Sequence, residues 1–197
     1  VALDEGDETA KVRAKGILVR QSHDGKPAFA ASDMVDGSTA GADGTLDFAA
    51  DVLHGSGIGS LQFGPDAGQP ASEQQILPVA FAGDVNLDLG RQVVINASGI
   101  EALPADASRV DTPTGYVQGT GHVSITAPYV HITGTSAEPV AVAGDGILDI
   151  DASTIDIGGL VNLQGWRQAS LNASDDGKPA PARCVSWTRT ARYRGRG

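Results

Sequence analysis

Apolar residues recur along this chain at relative positions 0, 2 and 4 and then, after a slip of three, at 7 and 9. The cleanest copies are Val123, Ile125, Ala127, Val130, Ile132 and Leu148, Ile150, Ala152, Ile155, Ile157. Gly121 and Gly146 stand two places before these copies, and Gly134 and Gly159 two places after them. Leu46, Phe48, Ala50, Leu53 repeats the pattern with Gly44 and Gly57 in frame, and Val85, Leu87, Leu89, Val93, Ile95 follows Gly83 with one residue inserted. A fainter copy is Ala10, Val12, Ala14, Ile17, Val19. On a helix at about 100° per residue these positions scatter around the cylinder and form no stripe. On strands they all face one way, and the slip of three marks a corner where the chain bends and alternation restarts.

A third side is suggested by the match of Ile58-Gly59-Ser60-Leu61-Gln62 to Leu160-Val161-Asn162-Leu163-Gln164 at the same distance from the first strand. One turn then runs from Gly44 to Pro65 or from Gly146 to Arg167, and Ala169, Leu171 and Ala173 open another. Three short strands closing in roughly 20 to 25 residues are the unit of a parallel β-helix, whose core is a column of stacked apolar ladders. The predicted fold is therefore all-β, a right-handed parallel β-helix over residues 1–174. Copies starting near 10, 46, 85 and 123 are more widely spaced than one such turn, so the intervals must hold excursions. Gly64 to Pro78 and Gly99 to Gly119, both Pro-bearing, read as two of them, and residues 21–43 as a loop-rich coil. An antiparallel β-sandwich also alternates apolar and polar residues between Gly-rich turns, but repeated corner spacing is not a property of sandwiches.

Composition sharpens this picture. Gly is 26 of 197 residues and aromatics are 5%, so the core must be built from small and β-branched side chains. The net charge of −10 hides an asymmetry: residues 1–176 carry all 24 acidic residues and only 8 basic ones, whereas 177–197 carry 6 basic residues and no acid. An acidic body repels phosphate backbones, which argues against nucleic-acid binding by the main domain. The single cysteine, Cys184, lies in the basic segment, so the body has no disulfide and no cysteine metal site. No apolar run approaches the roughly 18 residues needed to span a bilayer, and Gly16-Ile17-Leu18-Val19 is too short for a signal-peptide core, so any export signal lies elsewhere.

From about Gly44 to Ser174 the chain resembles the filamentous haemagglutinin family, the very large exoproteins of bacterial two-partner secretion. The resemblance is carried by Gly83-Asp84-Val85-Asn86-Leu87, by Gly121-His122-Val123-Ser124-Ile125-Thr126-Ala127 and by Ser153-Thr154-Ile155-Asp156-Ile157. It implies a long β-helical shaft, exported through a dedicated outer-membrane transporter to the bacterial surface, where it serves adhesion to host or bacterial cells. The secretion domain of that family carries Asn-Pro-Asn motifs; no Asn-Pro occurs here, so the resemblance is to an interior or carboxy-terminal piece.

Candidate chemistry is sparse. Asp145, Asp149, Asp151 and Asp156 form the densest carboxylate row, a pattern seen in calcium sites and in polysaccharide-cleaving β-helices. Asp149 and Asp151 alternate with Leu148 and Ile150, however, and are expected to project outward as a solvated acidic face; Gly144-Asp145-Gly146 also lacks the successive Gly-Gly-x-Gly-x-Asp turns of calcium-binding repeats. The histidines His23, His54, His122 and His131 show no metal-ligand or catalytic spacing. Asn96-Ala97-Ser98 and Asn172-Ala173-Ser174 match a glycosylation sequon that many polar turns share. Trp166, Tyr116 and Tyr129 are the aromatic groups of the body able to stack on a glycan, although Trp166 follows a corner Gly and also fits as a coil cap. No catalytic, cofactor or metal site is assigned, and the expected function is a structural or adhesive shaft, not an enzyme.

Two rivals remain: a polysaccharide lyase, hydrolase or glycan binder on the same fold, and a nucleic-acid binder acting through the basic tail. Residues 175–197 break the repeat in mid-coil. Arg183, Arg189, Arg192, Arg194 and Arg196 crowd there without any strand or helix period, so the tail is expected to be disordered, with the composition of a GC-rich gene read out of frame. The competing reading is a genuine basic tail bound to an acidic surface.

Overall fold

A computed structural model of the chain describes residues 15–22, 45–65, 76–107, 119–135 and 144–174. Ala10, Val12, Ala14, His23, Tyr116 and the basic tail of 175–197 lie outside the described residues. Within them the protein is all-β. The strands are β1 (Gly16–Arg20), β2 (Thr45–Ala49), β3 (Ser60–Phe63), β4 (Val79–Ala82), β5 (Val85–Asp88) and β6 (Gln92–Ala97). They continue as β7 (Ile100–Leu103), β8 (His122–Thr135), β9 (Gly146–Leu160), β10 (Leu163–Gln164) and β11 (Trp166–Ala173). The one helical piece among the described residues is a 3-10 turn at Ala50–Leu53.

Every strand pairing among the described residues is parallel. The smaller sheet has the order β10-β7-β4-β1-β2; the larger runs β11-β9-β8-β6-β3, with β5 also on β8. Parallel neighbours cannot be joined by tight hairpins, so each pairing joins distant stretches of chain. The two best copies of the repeat stack as their spacing predicts: Val123, Ile125, Val130 and Ile132 lie opposite Leu148, Ile150, Ile155 and Ile157. The first six of these are buried and Ile155 is half-buried, but Ile157 is 59% exposed, and among the described residues no further strand lies over that part of β9.

Period-two alternation sends Val85, Leu87, Val123, Ile125, Leu148 and Ile150 of the larger sheet into one core with Ile17, Val19, Val79, Phe81 and Ile100 of the smaller. The smaller sheet buries apolar residues on its second face as well: Leu18, Ala80, Ala82 and Leu103. Continuous runs such as Val79-Ala80-Phe81-Ala82 are what a parallel strand covered on both faces requires.

Several glycines sit where neighbouring segments of backbone touch. Gly121 (φ 103°) lies against the backbone of Gly83 (φ 68°), and Gly159 (φ 65°) against the carbonyl of Gly134; a Cβ at Gly121 or Gly159 would collide with the turn next to it.

Three sequence expectations are corrected. Ile100–Leu103 is strand β7 and not part of an excursion, and β4 precedes the copy that starts at Val85. Leu46 and Phe48 do not stack on the Val85, Val123, Leu148 column but pair with Ile17 and Val19 in the smaller sheet. Ile58–Gln62 is not equivalent to Leu160–Gln164: Leu61 pairs with Val93 in the larger sheet, and Leu163 with Ile100 in the smaller. The cause is the stretch after β2. Ala50–Leu53 winds into a 3-10 turn, closed by His54 N–H on the Asp51 carbonyl (3.0 Å), and Gly55 and Gly57 at positive φ carry the chain onward, so the count from the first strand no longer sets the side.

Candidate functional site

The outer face of the larger sheet gathers most of the chemistry-bearing side chains. Strands β8 and β9 project alternate residues away from the core, and their parallel register sets Ser124 beside Asp149, Thr126 beside Asp151 and His131 beside Asp156. The outward projection expected for Asp149 and Asp151 is therefore what the fold imposes; Asp156 is exposed further along β9, and Asp145 just ahead of it.

Each of the three strand carboxylates has a neighbour. His122 Nε2 lies 2.7 Å from Asp149 Oδ2, and the His122 backbone N–H donates to Asp84 Oδ1 at 2.8 Å. Asn172 Nδ2 donates to Asp151 Oδ1 at 2.9 Å. Tyr129 donates its hydroxyl to Asp156 Oδ2 at 2.8 Å, and its ring stacks beside His131 with centroids 6.4 Å apart and planes 20° apart. His131 Nε2 reaches the Thr133 hydroxyl. The hydrogen bond to Asp156, then partial burial and the charge of that carboxylate, raise the Tyr129 phenol pKa above its ordinary value.

These contacts form a ladder of pairs running across the strands, not a convergent centre. Among the described residues no three His, Cys, Asp or Glu side chains come together to hold a metal ion. His122 has a carboxylate but no hydroxyl or thiol beside it among the described residues, and His131, which meets the Thr133 hydroxyl through Nε2, has the Tyr129 hydroxyl and not a carboxylate beside Nδ1, so neither completes the acid–base–nucleophile set of acyl transfer. His54 is exposed at the end of the 3-10 turn, apart from this face.

Trp166 is not available for stacking on a ligand. It is 9% exposed, sits edge-on to Phe81 at 6.3 Å and donates its indole N–H to the Ile100 carbonyl at 3.0 Å. It ties the start of β11 to the smaller sheet, in line with its reading as a cap. Of the three candidate aromatics, Tyr129 alone has its ring on the described outer face.

Sequence reasoning missed Glu101. It lies on the second face of the smaller sheet between Ala80 and Gln164, 7% exposed, and burial pushes its carboxyl up to about 7. Alternation within Ile100-Glu101-Ala102 is a usable signal, obscured by the Pro-bearing stretch that follows it. On the same face Arg20 pairs with Asp47 at 2.9 Å and donates to the Ala107 carbonyl at 3.1 Å.

Comparison with protein-family models, with curated proteins and with solved structures gives no match. The functional reading therefore rests on the residues and their arrangement.

Proposed function

We propose that the chain is a segment of right-handed parallel β-helix acting as a structural or adhesive shaft of a secreted bacterial surface exoprotein. The observation that carries this reading is the stacking distance along the chain. Val79 and Ile100 are ladder partners 21 residues apart, Leu148 and Ala169 likewise, and Val123 and Leu148 are 25 apart. That is the pitch of a solenoid turn, and parallel connections of this kind are right-handed in nearly all proteins. The outer face supports a shaft more than a catalyst, since its carboxylates engage neighbours along the ladder instead of flanking a shared point. By the resemblance noted above, the transporter of two-partner secretion is the export partner and the cell surface the destination.

One observation favours a second reading, glycan binding or cleavage: Tyr129, His131 and Asp156 set two rings and a carboxylate side by side on an accessible strip. The test is incubation of the full chain with pectate, alginate and related acidic glycans, together with adherence of protein-coated beads to bacterial and epithelial cells. The shaft reading expects adherence above an albumin control and no release of unsaturated or reducing ends. Turnover of any of the glycans would replace it with the enzymatic reading.

A further inference from the structure

Strand β9 is 15 residues long, and one of its edges is only half covered. Along its other edge β8 pairs with it from Ile147 to Leu160. On the half-covered edge β11 pairs with Gly146–Ala152 and ends there, so Thr154–Leu160 has no partner on that side among the described residues. This stretch carries Ile155, Ile157 and Leu160. Ile157 is 59% and Leu160 55% exposed, although Ile132, the ladder partner of Ile157, is buried. An open edge of this kind is a template for a further strand.

The geometry points to a closed, two-fold symmetric dimer of this chain, formed by β11 of each copy adding to the open half of β9 in the other. The uncovered stretch of β9 has 7 residues and β11 has 8. A two-fold axis normal to the larger sheet, passing beside Ser153, carries one copy's β11 antiparallel onto the other's Thr154–Leu160 and does the same in return. Each β11 is then held between the two β9 strands. Inward positions stay inward under this rotation, so Ala169, Leu171 and Ala173 of one copy complete the ladder over Ile155 and Ile157 of the other.

The opposite end of the column gives the reason for a closed pair over an open stack. There the position that precedes β5 on the same side is taken by the 3-10 turn Ala50–Leu53, which offers β11 no strand edge. An isologous interface uses one patch twice and closes, whereas a head-to-tail contact would grow without limit. The chain's charge of −10 opposes self-association, so added salt should strengthen the dimer.

Sedimentation velocity of the full chain over a concentration series, at low and moderate salt, tests the inference. The expected result is a monomer–dimer equilibrium that tightens with salt and goes no further. Ile157→Lys, at a side chain already exposed, should weaken the dimer at least tenfold with an unchanged circular dichroism spectrum, while Val52→Lys at the opposite end should leave it intact. Hydrogen exchange gives an independent readout: amides of Thr154–Leu160 should gain protection as concentration rises, and those of Ser60–Phe63 should not. A monomer at every concentration, growth beyond the dimer, or protection confined to Ser60–Phe63 would overturn the proposal. It depends on the strand pairings and not on the shaft function, so either can fail alone.

Discussion

Glu101 makes the stability of this protein depend on pH in a direction opposite to that of an ion-paired carboxylate. It is 7% exposed between Ala80 and Gln164, no hydrogen bond or ion pair of the described residues reaches its carboxylate, and burial raises its pKa from 4.5 to about 7. Between those two values the folded chain holds a proton that the unfolded chain has released. Folding is then favoured by acid: the contribution is unpenalised below pH 4.5, is lost progressively as pH rises through 7, and levels off above it. At about 1.4 kcal/mol per pH unit the shift corresponds to roughly 3 kcal/mol. Glu101→Gln keeps the shape and removes the titration. Urea unfolding of both proteins from pH 4 to 8.5 should show near-equal stability at the acid end and a gain for the variant of about 2 to 3 kcal/mol at the alkaline end. Equal stability of the two proteins at every pH, or a wild type that gains on the variant as pH rises, would refute the reasoning.

Two further contrasts probe the ladder and its corners by thermal melting. Ile150, 1% exposed between Ile125 and Leu171, should not tolerate a charge: Ile150→Asp costs several kcal/mol or prevents folding, whereas Asp149→Ala on the outer face changes stability by less than about 1 kcal/mol even though it removes the His122 contact. Gly159→Ala, at φ 65° and against the Gly134 carbonyl, should cost about 2 kcal/mol or more, while Gly90→Ala, in open space, should be close to neutral.

The sequence carried a large part of the larger sheet. Alternation in Val123–Ile132 and Leu148–Ile157 named the inward residues, the spacing between the two copies set their mutual register, and the outward placement of Asp149 and Asp151 followed from the same period of two. Trp166 was legible as a cap because a corner Gly precedes it. Residue partnerships on the outer face were not legible. Tyr129 meets Asp156, and His122 meets Asp149, only because a particular register joins segments 27 residues apart, and nothing local records it.

What the sequence determined by itself was that strands form here and which face of each is apolar, since both follow from side-chain alternation within a few residues. Which of the two sheets a strand joins was decided only in the tertiary structure. Leu46–Phe48 and Leu61–Phe63 carry the same kind of pattern, yet one pair stacks in the smaller sheet and the other in the larger. A 3-10 turn between them alters how far the chain travels per residue, so similar patterns on either side of it end in different sheets. Glu101 shows the same division: its alternation with apolar neighbours is local, but its burial depends on the smaller sheet being covered on both faces, a property of the assembled fold.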